Sequence, residues 1–267
     1  MKAPFRAAAL QFPVRMGDVD ANASRAFSLL REAAGGNASL CVLPEMWSTG
    51  FSYETLPALC GSTPGLLEDL ARFASKHRVV LAGSLPEAEG KSVYNTLYVV
   101  DSNGTITGKY RKTHLFSPSG EALHFRRGKG SSVAKTSVGA IGPQICYDIR
   151  FPELSRKYWA EGADLFCVPA QWPTVRAAHW DLLTAARAVE SQLFVVAANA
   201  VGRSGPFEYA GGSVIVSPWG ERLARGGEEE GIVAATIDPA EIAEARRRVP
   251  CAQDRNESAY RRSRRPR

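Results

Sequence analysis

Residues 140–170 read AIGPQICYDIRFPELSRKYWAEGADLFCVPA, and this stretch decides the fold. The run from Ala140 to Ile145 is apolar enough for a buried strand, Pro152 opens a helical pattern through PELSRKYWAEGA, and DLFCVPA is a second short apolar run. Strand, helix and strand in succession make a crossover unit, which lays its two strands parallel in one sheet. Between the first strand and the helix lies a corner holding Cys146, Tyr147 and Asp148. Side chains at such corners face the crevice at the carboxyl ends of the strands, where α/β folds expose their chemistry.

The same alternation extends outward. Downstream come a helix AAHWDLLTAARAVESQ, a strand LFVVAANA, further strands GSVIVSP, RLARG and GIVAATI, and a helix from about Pro239. Upstream, AAALQF, SLCVLP and RVVLAGS read as strands. Asp20 is placed to cap a helix carrying Phe27, Leu29 and Leu30, while Thr63-Pro64 starts another that presents Leu66, Leu67, Leu70 and Phe73. SVYNTLYVVD and TITGKYRK alternate around Asp101-Ser102-Asn103-Gly104 and read as a hairpin. With no linker and no internal repeat, residues 1–267 are expected to form one α/β domain with a large sheet or two packed sheets.

A chain of 267 residues that is 45% hydrophobic can bury a sizeable core. No apolar run approaches a membrane span, and the leading MKAPFRAAALQFPV lacks the pattern of a signal peptide, so a cytoplasmic protein is expected. Cys41, Cys60, Cys146, Cys167 and Cys251 are an odd number without metal-ligand spacing; all are expected to be reduced, and no metal is implied. The formal charge of +6 raises the possibility of a nucleic-acid binder, but the excess sits largely in Arg246 to Arg248 and in RRSRRPR at 261–267. Lacking an interleaved aromatic and basic stripe, the end of the chain reads as a solvated basic tail.

Three residues each follow an apolar strand: Glu45 after LCVLP, Lys112 after the hairpin strand, and Cys146 at the corner. Taken singly, each has a plain alternative: a capping acid, a solvated lysine, a buried thiol. Position separates Cys146 from the other cysteines. Cys41 and Cys167 sit inside apolar strands that leave a thiol inert, whereas a strand-to-helix corner offers backbone N–H groups and a helix N-terminus to a thiolate and an oxyanion. A histidine base is the usual companion of a nucleophilic thiol, and His77, His114, His124 and His179 are available without decisive local context.

The segments CVLPEMWSTGF, GKYRKTHLF and GPQICYDIRFPEL resemble, in order, the signature blocks of the nitrilase, or carbon-nitrogen hydrolase, superfamily. The resemblance runs from AAALQFPV to the region of Pro250, Asp254 and Tyr260. It implies a four-layer αββα sandwich whose subunits pair across a helical face, giving a homodimer or higher homo-oligomer. It further implies that Glu45, Lys112 and Cys146 form a catalytic triad, with Glu121 as a second glutamate beside the thiol. The implied reaction uses an amide substrate and water, with no metal or organic cofactor. Glu45 would carry the thiol proton to the leaving nitrogen, and Lys112 with the backbone N–H of Tyr147 would hold the oxyanion.

Cys146-Tyr147-Asp148 resembles the small amidases of the superfamily, and WPTVRAAHWDLLTAARAVESQLFVVAANAVG is most similar to omega-amidases, which act on 2-oxoglutaramate and 2-oxosuccinamate. Such substrates carry a carboxylate away from the reacting amide, which calls for a cation in the pocket. Arg150 fits that role, or else braces its loop by pairing with Glu153 or a neighbouring acid; Arg176 is a weaker candidate that reads equally as a solvated first-turn residue. Trp172 and Phe116 are candidate pocket walls, and Asp148 an orienting or capping residue. The alternatives within the superfamily are an N-carbamoyl amino-acid amidohydrolase, a nitrilase or a catalytically silent scaffold.

Overall fold

The fold is that of a computed structural model in which residues 3–260 are described. The basic tail expected at 261–267 lies outside the described residues. In chain order the elements are β1 (Phe5–Gln11), α1 (Val19–Gly35), β2 (Ala38–Val42), α2 (Leu56–Leu59), α3 (Thr63–His77), β3 (Val80–Glu89), β4 (Ser92–Val100), β5 (Ile106–Arg111), α4 (Glu121–His124), β6 (Ala134–Lys135) and β7 (Ala140–Pro143). There follow α5 (Pro152–Ala160), β8 (Leu165–Ala170), α6 (Ala177–Ser191), β9 (Phe194–Asn199), β10 (Val201–Ser204), β11 (Phe207–Ala210), β12 (Val214–Val216), β13 (Arg222–Arg225), β14 (Gly231–Ile237), α7 (Ala240–Arg248) and α8 (Cys251–Asp254).

Two six-stranded sheets form, in the orders β14-β1-β2-β3-β4-β5 and β13-β12-β9-β8-β7-β6. The pleat explains how they stack. In β1, Ala7 and Ala9 join the core shared with the second sheet, while Ala8 and Leu10 face outward to the helices over the first sheet. Those helices are α1 and α3. Ala26, Leu29, Leu30 and Ala33 recur at helical spacing along α1, as do Leu66, Leu70, Phe73 and Ala74 along α3, and both rows are buried. On the far side, Leu154 and Tyr158 of α5 and Trp180 and Ala188 of α6 pack in one cluster with β8 and β9. The result is the four-layer αββα sandwich. The cap of α1 differs from expectation: Asp18, not Asp20, accepts the N–H of Ala21 at 3.1 Å, leaving Asp20 in the first turn.

The first sheet is closed by its ends in sequence, since β1 is flanked by β2 in parallel and by β14 in antiparallel register, Phe5 opposite Ile237. At its other edge, β3, β4 and β5 form a meander that delivers the residue after Arg111 to the same end as the residues after β2. Arg111 is tied to β3 through Glu87, with Nε donating to Oε2 at 3.0 Å. Burial would raise the Glu87 carboxyl, but hydrogen bonds from Arg111, Lys109 and Thr96 outweigh it and hold the group down at about 2. A carboxyl depressed in the folded state stabilises above its unfolded value of about 4.3 and loses that contribution as pH falls toward its folded value. Thermal melts should therefore show Tm falling between those two pH values, and Glu87→Gln should flatten that slope.

Candidate active site

Glu45, Lys112 and Cys146 come from three elements and meet at one end of the sandwich. Glu45 lies just past β2, where its N–H donates to the Ala170 carbonyl at 3.4 Å and the next N–H, of Met46, donates to Ser84 Oγ at 2.8 Å. Lys112 continues from β5, its N–H donating to the Asn95 carbonyl at 2.9 Å. Cys146 begins a five-residue 3-10 turn, Cys146–Arg150, beyond β7. Met46 and Cys146 both have left-handed backbone, with φ of 47° and 44°. Non-glycine residues are held there only where surrounding structure determines them, and such strain collects at functional sites.

The charged groups interlock. Lys112, fully buried, donates from Nζ to Glu45 Oε1 at 2.7 Å and to Glu121 Oε1 at 2.9 Å. Glu45 also accepts from Asn95 Nδ2 at 2.8 Å and, on Oε2, from the Gln171 backbone N–H at 3.1 Å. Glu121 opens α4 and takes the Phe116 N–H on Oε2 at 3.0 Å. Burial opposes the charge on Lys112, yet the carboxylates of Glu121 and Glu45 prevail and hold its ammonium well above the usual lysine value. Burial pushes Glu121 up to about 7; Lys112 pulls it down and Glu45 pushes it further up.

Burial also drives the Cys146 thiol well above its usual value, reinforced by Glu45 against the opposing pull of Lys112. The corner turn is short, and the full helix α5 starts only at Pro152. In such a pair the carboxylate can take the thiol proton and leave the sulfur nucleophilic.

Asp148 caps the corner rather than facing the thiol chemistry. Its Oδ2 accepts the Ile145 N–H at 2.9 Å and the Tyr110 hydroxyl at 2.8 Å, while Oδ1 meets His114 Nδ1 at 2.7 Å. His114 is thereby committed, and it stacks on Phe151. His124 stacks on Tyr53, His77 on Phe73, and His179 meets Arg150. Among the described residues, no histidine lines the cavity in which Cys146 lies.

That cavity, of about 340 Å³, is lined by Cys146, Glu45 and Glu121 together with Phe116, Tyr147, Arg150, Trp172 and Arg176. Lys112, wholly interior, stays behind its surface. Arg150 does not pair with Glu153. Its guanidinium lies 4.7 Å from the Trp172 ring centre, with Nη2 3.1 Å from His179 Nδ1. Arg176 lies over Phe116 at 5.2 Å. Pro118, Ser119 and Pro173 also line it, and other parts of the wall escaped the sequence: Met16, Phe51, Tyr53, Gln171, and Ser204, Pro206, Phe207 and Tyr209 of the β10-β11 hairpin segment. A Gly205-Pro206 turn between short polar strands was the available signal for that hairpin.

A buried thiol, an adjacent base, a fixed ammonium and a second carboxyl suit acyl transfer in a largely apolar slot. Comparison with known proteins agrees. The family model for carbon-nitrogen hydrolase matches residues 6–247. The 2-oxoglutaramate amidase of Bacillus subtilis (strain 168) is 39% identical over 253 residues, covering 94% of this chain and 97% of its own. The human omega-amidase NIT2 is 34% identical over 270 residues, covering 96% of each chain. Among solved structures, Saccharomyces cerevisiae Nit3, of branch 10 of the nitrilase superfamily, superposes with a TM-score of 0.87 at 30% identity, over 96% of this chain and 98% of its own. An amidase mutant from Nesterenkonia sp. AN1, whose active-site cysteine carries the acetamide moiety of fluoroacetamide, superposes at 0.85 with 26% identity, over 96% and 95%. This chain belongs to the carbon-nitrogen hydrolase family, within the nitrilase superfamily.

Proposed function

We propose that the protein hydrolyses the terminal amide of a small omega-monoamide of the 2-oxoglutaramate or 2-oxosuccinamate type, releasing ammonia and a dicarboxylate. The observation that carries this reading is the pairing of the Glu45, Lys112, Cys146 and Glu121 cluster with two guanidinium groups, Arg150 and Arg176, in one apolar cavity. A carboxylate leaving water for such a slot needs a cation to meet it.

Glu45 takes the Cys146 proton as sulfur bonds to the amide carbon. The oxygen becomes negative where the Lys112 ammonium, just beneath the cavity surface, and the Tyr147 backbone N–H are assigned to oppose its charge. Glu45 passes its proton to nitrogen, the C–N bond breaks, and ammonia leaves with the acyl group on sulfur as a thioester. Water, positioned with Glu121, then gives its proton to Glu45 as its oxygen attacks the thioester; the acid is released and the proton returns to sulfur. Lys112 stays protonated throughout.

Arg150 is assigned to the remote carboxylate, with Trp172 and Phe116 as walls. Arg150→Gln should lower kcat/KM for omega-monoamides by roughly ten- to a hundredfold, the worth of a charge-assisted hydrogen bond, and leave a neutral amide of equal length nearly unchanged. Equal losses on both, accompanied by a lower Tm, would make Arg150 a brace for its loop. A wild-type preference for neutral amides, nitriles or carbamoyl compounds, read by ammonia and carbon dioxide release, would sink the omega-amidase assignment.

A further inference from the structure

Gln171 follows β8 directly and is 4% exposed. It grips Glu45 twice, the backbone N–H reaching Oε2 and the side-chain Nε2 donating to the Glu45 carbonyl at 2.8 Å. With Nε2 committed to a carbonyl, which only the amide nitrogen can satisfy, the orientation of the side chain is fixed. The other end, Oε1, is buried with no protein donor within hydrogen-bond distance, although Gln171 lines the cavity beside Glu45 and Cys146. A buried amide oxygen without a donor is costly, and buried polar groups are normally paired.

We propose that Gln171 Oε1 accepts an N–H of the scissile amide and holds that nitrogen beside Glu45 until it leaves as ammonia, making Gln171 the residue that selects amides over esters. The inference rests on the amidase reading above and deepens it. A primary amide brings two N–H donors to the place where the bond breaks, and as Glu45 delivers a proton the nitrogen gains another and turns positive. An acceptor that reaches this nitrogen therefore binds the transition state better than the ground state. The alkoxy oxygen of an ester brings lone pairs to the same spot and leaves Oε1 unpaired. Sites built around a substrate N–H reject analogues that lack it for this reason.

Gln171→Met keeps length and shape while removing the acceptor. The rates to compare are kcat/KM for a short omega-monoamide and for the monomethyl ester of the same dicarboxylic acid, since this ratio reports acylation of Cys146. Both substrates use Glu45, but the amide depends more on its proton, so the baseline is Asn95→Leu, which removes a donor to Glu45 and no acceptor for substrate, and a lost acceptor must lower the amide relative to the ester beyond that baseline. The amide rate should fall roughly ten- to a hundredfold more than the ester rate.

A second readout needs only a trace of folded enzyme. With the ester as acyl donor and hydroxylamine present, the thioester partitions between hydroxamate and acid. The incoming amine retraces the path of the leaving ammonia, so the hydroxamate-to-acid ratio should drop in Gln171→Met and in Gln171→Leu. Equal losses on amide and ester with an unchanged partition ratio would overturn the proposal and leave Gln171 as a support for Glu45. A wild-type enzyme that turns over the ester through Cys146 but not the amide would instead overturn the amidase reading itself.

Discussion

Replacing Cys146 by alanine is expected to leave a folded protein with amide turnover reduced on the order of 10⁴-fold or more, because among the described residues no other thiol lines the cavity beside Glu45. Alanine loses only a sulfur atom at a position 7% exposed, and it tolerates the left-handed backbone about as well as cysteine does. The change in stability should stay within about 1–2 kcal/mol. Alkylation should discriminate just as sharply. Burial pushes the Cys41 thiol up to about 12 and raises Cys167 further, so both should resist iodoacetamide. Cys146 is also raised, but it alone has a carboxylate base at hand and opens on a cavity. Exposed Cys251 will take label without consequence. Retained activity in Cys146→Ala, or inactivation that maps to Cys60 or Cys251, would refute the assignment.

The second large effect belongs to the charges around it. Glu45→Gln should lower the acylation rate by several orders of magnitude with little change in volume, since an amide cannot take up the thiol proton. Lys112→Met should be as inactive and also unstable. It strips the cation from two buried carboxylates, and removing one partner of a buried ion pair costs about 3–5 kcal/mol. One carboxyl then stays protonated in the folded state, so its folded value rises above the unfolded one. The variant should therefore gain stability as pH falls through that raised value, a slope opposite to the one set by Glu87. His114→Gln, His124→Gln and His179→Gln should each cost far less than Glu45→Gln. A histidine variant as inactive as Glu45→Gln would point to a cysteine-histidine pair instead.

The strands and helices were legible in the sequence as apolar runs and helical rows, whereas one large sheet and two packed sheets both stayed open and the four layers came from the resemblance. Ala7 through Leu10 alternate between two cores, and the α1 and α3 rows recur at helical spacing. Capping was less legible, since Asp18 and Asp20 differ only in where the chain turns. Glu45, Lys112 and Cys146 stood out by position after strands and by resemblance, not by composition, for each alone reads as an ordinary side chain. What stayed hidden was long-range. Gln171 gives no local sign that its two ends have different fates, and the β10-β11 hairpin is too short and too polar to stand out. The upward push on the Cys146 thiol was hidden for the same reason, because burial and the neighbouring carboxylate are properties of the assembled site.

The pairing of β1 with β14 bears on how the chain is made. β1 must wait for residues 231–237 before one side of it is hydrogen-bonded, so this sheet cannot be completed on the ribosome until β14 has emerged. Until then β1 offers an open edge with unpaired N–H and C=O groups, the kind of edge that recruits other nascent chains. Contacts of such long sequence separation also slow folding after release. Deletions that remove β14 should accordingly appear as aggregation during expression, even though Glu45, Lys112 and Cys146 all lie far upstream of it.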